Sequence, residues 1–208
     1  FPKIDVPQIV LINPIDQINV GKVNLQKAQQ YFNLDRTKTV YAIIGNVIQC
    51  KGVLFVARAF QKAALENAIL LIVGQDSAHR KYERQVQEFA AQNPCIRVLG
   101  EIENTDVVYR ITDYVVRGDE TIGLGRTVFE GLYSGCGAVL QYQTQEDRVD
   151  SGIPEEMFKK VFFYKLQDEE SLISAFRESQ NKKMVSRRYE SNVSKYLDAF
   201  LKFILKNR

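Results

Sequence analysis

The sequence predicts a doubly wound, mostly parallel α/β sheet of the Rossmann-like type, and three observations carry that prediction. Apolar, β-rich runs alternate with helix-like stretches along the chain, which is the pattern of parallel strands joined by crossover helices. The runs are near-continuous in Val, Ile and Leu, as expected of strands covered by helices on both faces. The first four of them close on glycine or are followed by one. In such sheets ligands sit in the crevice outside the carboxyl ends of the strands, so the glycine-marked strand ends are where a site is expected. The 208 residues suit one domain with a well-formed core and leave no room for a second of the same size.

Taken in order, the first strand is expected at Val40–Gly45, and the loop 45–52 leads into a helix at Leu54–Leu65. A second strand at Ile69–Gly74 and the loop 74–79 precede a helix at His79–Gln92. The third strand, Cys95–Gly100, the loop 100–104 and a short helix at Thr105–Thr112 follow. A fourth strand at Tyr114–Arg117 runs through the loop 117–127 into a helix at Thr127–Ser134, and a fifth lies at Ala138–Tyr142. A basic, helical tail spans Lys182–Arg208, with Tyr189, Val193, Tyr196, Leu197, Phe200, Leu201 and Ile204 on one apolar stripe. That stripe suits a helix lying on its own domain or one reaching across to another.

Four devices for holding a phosphorylated ligand fall between Arg117 and Leu140. Gly123 and Gly125 let backbone approach a ligand closely. Thr127 can cap the helix that follows, whose free N–H groups and positive dipole end favour a bound phosphate. Arg126 stands where it can pair with a phosphate oxygen or remain solvated. Glu130, one turn in, can accept from a pair of ribose hydroxyls; equally, Thr127-Val128-Phe129-Glu130 reads as a capping box that merely starts a helix. Gly135 and Gly137 are expected to end that helix and enter the next strand. The loop Gly45-Asn46-Val47-Ile48-Gln49-Cys50-Lys51-Gly52 is neither a Walker loop nor a dinucleotide fingerprint, because the glycine spacing and the Ser or Thr after the Lys are missing. Its place at a strand's carboxyl end makes Lys51 a phosphate candidate.

These segments resemble retaining GT-B glycosyltransferases, family 4 (glycosyl transferases group 1), whose nucleotide-sugar motif is Glu-Gly-Phe-Gly, four residues, Glu-Ala-Met-Ala-x-Gly-x-Pro-Val. Gly123-Leu124-Gly125 and Glu130-Gly131-Leu132 through Gly135 fall in register with it. Lys51-Gly52 resembles the Lys-Gly of the family's first loop, Gly-Arg, a few residues, Lys-Gly, with Gly45 in place and Asn46 where Arg is usual. Leu11-Ile12-Asn13-Pro14-Ile15-Asp16 is similar to the interdomain Pro-Asn-Gly-Val-Asp segment, and Ala28–Leu34 to the short helix after it. Ile69–Gly74, Val98-Leu99-Gly100-Glu101-Ile102 and Asp168–Phe176 extend the likeness over essentially the whole chain.

The resemblance implies one half of a GT-B fold: an interdomain-like segment and short helix over 1–36, a donor-binding Rossmann-like domain over 37–180 and a terminal helix over 181–208. It implies that Lys51, Arg126 and the helix start at Thr127 hold the donor diphosphate, without a metal or other cofactor, that Glu130 binds ribose, and that Gly100 and Ile102 lie near the base. Gly45, Asn46, Gly123, Leu124 and Gly125 would complete the donor surface. One departure stands out. The family's first Glu, which holds a sugar hydroxyl, corresponds to Ile122, so Glu120, with Asp119 beside it, is the expected substitute between the flexible Gly118 and Gly123.

The donor would be a UDP- or GDP-linked sugar and the acceptor a glycan or lipid-linked species, in cell-surface polysaccharide synthesis. The partner would be an N-terminal acceptor-binding GT-B domain in the same chain or another subunit. The competing expectation, favoured by Ile122 and Asn46, is a non-catalytic nucleotide-binding or partner-binding subunit. A nicotinamide-dependent protein is disfavoured, since no G-x-G-x-x-G follows the first strand. Net charge of +3, with the basic residues spread out, gives no nucleic-acid footprint. The three Cys have no metal spacing, and His79 is the only His, which excludes a histidine metal cluster and a Ser-His-Asp triad centred anywhere but on that residue. An odd set of Cys suits a reduced, cytoplasmic protein; no apolar run reaches the roughly 18 residues of a spanning helix, leaving peripheral attachment to the inner membrane face as the only membrane expectation.

Overall fold

A computed structural model describes residues 11, 14–35, 37–76, 80–149, 151–182 and 188–206. Ile12 and Asn13 of the interdomain-like segment, His79, the stretch 183–187 and the last two residues lie outside the described residues. The elements run α1 (Leu25–Tyr31), β1 (Thr39–Ile44), α2 (Val53–Ala63), β2 (Ala68–Val73), α3 (Arg80–Ala91), β3 (Ile96–Gly100), α4 (Asp106–Ile111) and β4 (Tyr114–Val116). They continue with α5 (Arg126–Tyr133), β5 (Gly137–Tyr142), α6 (Gln145–Val149), β6 (Val161–Lys165), α7 (Glu169–Gln180) and α8 (Val193–Lys206).

All six strands are parallel, in the order β3-β2-β1-β4-β5-β6. This is the strand order of a doubly wound sheet, whose direction of winding reverses between β1 and β4. The expected alternation and the five expected strands are all present, with each boundary within one residue of its expected position. The sixth strand, Val161–Lys165, is an addition to them.

Period-two alternation along β1 sorts the core into two layers. Tyr41 and Ile43 face α2 and α7, with Phe60, Leu70, Ile72, Tyr114, Phe162 and Phe176. Val40, Ala42 and Ile44 face α4 and α5, with Val108, Leu132, Val115 and Leu140. Because β2 is buried throughout as Ala-Ile-Leu-Leu-Ile-Val, neither face of the sheet is open to water at that strand. The first layer is aromatic: the Tyr41 and Tyr114 rings stack at 5.1 Å, and Phe176 stands edge-on to Tyr41 at 5.4 Å. Their hydroxyls are satisfied at the end of α7, Tyr41 with Ser179 Oγ at 2.8 Å and Tyr114 donating to the Ser179 carbonyl at 2.8 Å. Burial pushes the Tyr114 phenol up to about 12 and the Tyr41 phenol higher still.

Residues 14–35, ahead of β1, pack against the sheet. Ile15, Val20, Ala28 and Phe32 are buried in the second layer, and Asn24 caps α1 by accepting from the Lys27 N–H at 3.0 Å. Ile15 and Asn192 exchange hydrogen bonds of 2.6 and 2.9 Å, and Asp16 forms an antiparallel bridge with Ser191. The tail departs from expectation here. Tyr189 belongs to this extended crossing and packs against Arg110, its ring 5.3 Å from the guanidinium carbon, while helix begins only at Val193. On α8, Leu197, Phe200, Leu201 and Leu205 are exposed.

Candidate functional site

The switch between β1 and β4 opens a small crevice lined by Gly45, Asn46, Lys51, Arg117, Gly118 and Asp119 among others. Two glycines make it possible. Gly52 adopts φ +58, and a Cβ there would stand 1.8 Å from the Gly118 carbonyl oxygen; one on Gly118 would lie 2.4 Å from Val56 Cγ2. Only bare backbone fits at either position, so the two loops touch and their charged side chains share one space. The Glu120 N–H, donating to the Cys50 carbonyl at 3.0 Å, ties the same loops together.

Three charges meet there. Lys51 Nζ lies 2.7 Å from Asp119 Oδ1, and an Arg117 guanidinium nitrogen lies 2.7 Å from Asp119 Oδ2. Asp119 is buried at 7% exposure, and burial of a carboxylate is tolerated only when it is paired in this way. Arg117 reaches onward beneath the glycine loop. Its Nη1 is 3.4 Å from Thr127 Oγ1, and it would be 2.6 Å from a Cβ at Gly125. Its Nε is buried without a hydrogen-bond partner among the described residues, while its carbonyl accepts from the Tyr164 hydroxyl at 2.8 Å.

The second group of candidate residues sits at the start of α5. Gly125, not Thr127, is the N-cap residue, and no side chain caps the helix. The capping box is therefore not formed: Thr127 is already inside the first turn, because extended backbone ends one residue after Leu124. Glu130 turns sideways instead. One carboxylate oxygen accepts from Arg126 Nε at 2.7 Å and the other from the Tyr109 hydroxyl at 2.7 Å. Burial, and then the Glu130 charge, push the Tyr109 phenol far above its ordinary value, so it remains a donor. Each carboxylate oxygen keeps a further lone pair for a ligand. Gly135, at φ +80, ends the helix, and Gly137 opens β5, both as expected.

The remaining candidates divide by position. Glu120, Ile122 and Gly123 are exposed on the outer rim of the loop, and Leu124 is half-buried. Asn46 is exposed at the crevice mouth. Gly45 and Gly100 belong to a ladder across the strand ends, Gly45 donating to the Val73 carbonyl at 3.0 Å and Gly74 to the Gly100 carbonyl at 2.7 Å. Ile102 is turned to a groove against α1, shared with Val23, Ala28 and Tyr31. Arg117, Asp119 and Tyr109 were not singled out as ligand-facing by sequence. The signal for the first two was present as charged residues directly after a strand at the switch point.

This crevice and sheet define a Rossmann-like α/β unit. No family model matches the sequence, and no curated protein matches it. Solved structures match the fold closely enough to name its neighbours. A glycosyltransferase from Rickettsia africae ESF-5 is similar over 92% of this chain and 50% of its own, at 18% identity and a TM-score of 0.65. Anabaena Alr3699/HepE in complex with UDP is similar over 80% of this chain and 46% of its own, at 13% identity and a TM-score of 0.66. The C-terminal domain of a glycosyl transferase group 1 family protein from Francisella tularensis covers 76% of this chain and 83% of its own, at 15% identity and a TM-score of 0.59. The neighbours are glycosyltransferases of the GT-B type, and the chain spans about half the length of the first two.

Proposed function

We propose that this chain is the donor-binding, C-terminal half of a metal-independent, retaining GT-B glycosyltransferase that moves a sugar from a UDP- or GDP-linked donor to a glycan or lipid-linked acceptor in polysaccharide synthesis. The observation that carries the proposal is the paired arrangement at the switch point: cations at the junction of two glycine-bounded loops, and one helix start away a carboxylate held by a buried phenol. In this reading Lys51, Arg126 and the free N–H groups of α5 stabilise the departing diphosphate. Glu130 accepts from the ribose hydroxyls, pre-oriented by Tyr109. Gly45, Asn46, Gly100 and Gly123 let backbone approach the nucleotide, and Ile102 flanks the base. Glu120, exposed beside a carboxylate already held by two cations, is the one free to reach the sugar. Support comes from outside the site as well: a neighbour is known in complex with UDP, and another neighbour is itself a C-terminal domain.

The acceptor side belongs to a second GT-B domain, in the same polypeptide or a partner subunit, and a role at the inner membrane face follows from a lipid-linked acceptor. A non-catalytic nucleotide-binding or partner-binding subunit is the second reading, favoured by the apolar Ile122 where a sugar-holding carboxylate is expected. Calorimetry with UDP, GDP and ADP tests the proposal. Heat and a thermal shift with at least one nucleotide are expected in the millimolar range or tighter. No response to any of the three contradicts nucleotide binding, and binding without transfer from any donor by the two-domain protein moves the weight to the second reading.

A further inference from the structure

An anion-binding crevice that buries its own carboxylate against its binding cation is working against its ligand. Asp119 Oδ1 is 2.7 Å from Lys51 Nζ, so a phosphate oxygen recruited by Lys51 would stand roughly 4–5 Å from that carboxylate, two charge-assisted hydrogen bonds meeting at a tetrahedral ammonium. At such a separation the repulsion between unit charges in a partly buried site is on the order of a kcal/mol or more. Arg117, bound to the other carboxylate oxygen, offsets the loss. Lys51, Arg117 and Asp119 together leave one net positive charge at the crevice.

Resting on the donor-binding reading, we infer that Asp119 is a specificity-determining residue: its carboxylate lowers the charge of the diphosphate subsite and so narrows the advantage that the more highly charged free nucleoside diphosphate would otherwise hold over the sugar-bearing donor. Coulombic repulsion scales with ligand charge. A diphosphate linked to a sugar carries two negative charges, and the free nucleoside diphosphate carries close to one more, because the second ionisation of a terminal phosphate lies near 6. One fixed carboxylate therefore penalises the product by about half as much again as the substrate. The product's electrostatic advantage over the donor shrinks.

The geometry explains why the carboxylate remains in place when ligand arrives. Arg117 is only 12% exposed in its side chain, holds Asp119 from below and reaches under Gly125 to Thr127. Lys51, at 37% exposure, is the mobile member of the three. It can turn toward a diphosphate while Asp119 stays bound to Arg117. Lys51 supplies attraction, and the Arg117–Asp119 pair fixes how much of it the ligand feels.

The test is calorimetry of the chain with UDP and UDP-glucose, and GDP and GDP-mannose, at low and high salt. For Asp119→Asn, affinity for the sugar-linked nucleotide is expected to rise about tenfold and that for the free diphosphate about thirtyfold, the exponents standing in the ratio of two to three charges. The product-to-donor affinity ratio thus rises about threefold at low salt and falls back at high salt. Arg117→Met should shift both affinities the opposite way. Should Asp119→Asn leave Arg117 buried without a partner and fail to fold, Arg117→Met compared with Arg117→Met/Asp119→Asn reads the same term: the added Asn must raise affinity, again more for the free diphosphate. Wild-type binding with an equal or lower product-to-donor ratio in the folded Asn variants overturns this inference alone. Failure of the wild type to bind any nucleotide overturns the donor-binding reading, and this inference falls with it.

Discussion

The two halves of the candidate site are built by opposite means. The crevice between β1 and β4 buries its ion pair at the base, beneath a mouth where Asn46 is exposed. Its backbones touch through Gly52 and Gly118, and its carboxylate has 10% of its side chain exposed between two cations. The Glu130 group lies on the open first turn of α5, where Arg126 is 66% exposed and only the Tyr109 side is buried. The same chemical pairing, carboxylate with guanidinium at 2.7 Å, occurs in both, yet its energetic weight differs. Removing one partner of the buried pair strands a charge away from water, whereas the exposed i, i+4 pair is screened and nearly dispensable. Similar contacts at two ends of one site thus predict different consequences, and mutation can separate them.

The largest effect is expected where the crevice depends on missing side chains. Gly52→Ala adds a Cβ 1.8 Å from the Gly118 carbonyl at φ +58, which has no relief except displacement of one loop. Urea denaturation should show a loss of about 3 kcal/mol or more, with Lys51 and Asp119 separated as the loops part. A loss below about 1 kcal/mol would mean that the two loops are not locked together.

Next in size is an effect shared by both halves through their phenols. Tyr164 supports the crevice at the Arg117 carbonyl and Tyr109 supports Glu130; burial raises both, along with Tyr41 and Tyr114. A phenol raised in the folded state keeps its proton after the unfolded chain has lost it, so the unfolded state binds fewer protons. Stability is then level below about pH 10 and declines as the pH rises from there through about 12, the Tyr114 value. Thermal melts from pH 8 to 12, with phenolate absorbance, check this. Early ionisation of all ten tyrosines in the native protein would contradict it.

The smallest effect belongs to the exposed pair. Arg126→Ala should change stability by no more than about 0.5 kcal/mol, since its guanidinium lies in solvent. A loss above about 1.5 kcal/mol would erase the contrast between the halves.

Much of this architecture was legible in the sequence. β1 to β5 stand out because strands covered on both faces must be apolar throughout, as Ala68–Val73 is. β6 was missed because it is an edge strand, Val-Phe-Phe-Tyr-Lys, buried only at alternate positions and entered through Lys159 and Lys160. It is too short to announce itself against a helix. In the candidate site, Lys51 and Glu130 are proposed from position and motif. Thr127 is not the cap because Thr127 and Glu130 satisfy the capping-box pattern only in sequence, while the actual choice of N-cap is made by the extended backbone at Gly125. Asp119 was read as a neighbour of Glu120, since no local pattern reveals that Gly52 and Gly118 bring Lys51 across 68 residues to meet it. Charge partners set by close approach of distant backbone are not encoded in any local window.

The central claim is that the two halves hold one ligand, phosphates at Lys51 and ribose at Glu130. Calorimetry of wild type, Lys51→Ala and Glu130→Gln with inorganic pyrophosphate and with UDP or GDP tests it directly. Lys51→Ala should weaken both kinds of ligand about tenfold, a single lost charge-assisted contact. Glu130→Gln should weaken the nucleotide by a similar factor without weakening pyrophosphate, because pyrophosphate has no ribose to lose. If Glu130→Gln weakens both ligands alike or neither, or if Lys51→Ala leaves pyrophosphate binding intact, the two groups do not share a nucleoside diphosphate and the account is wrong.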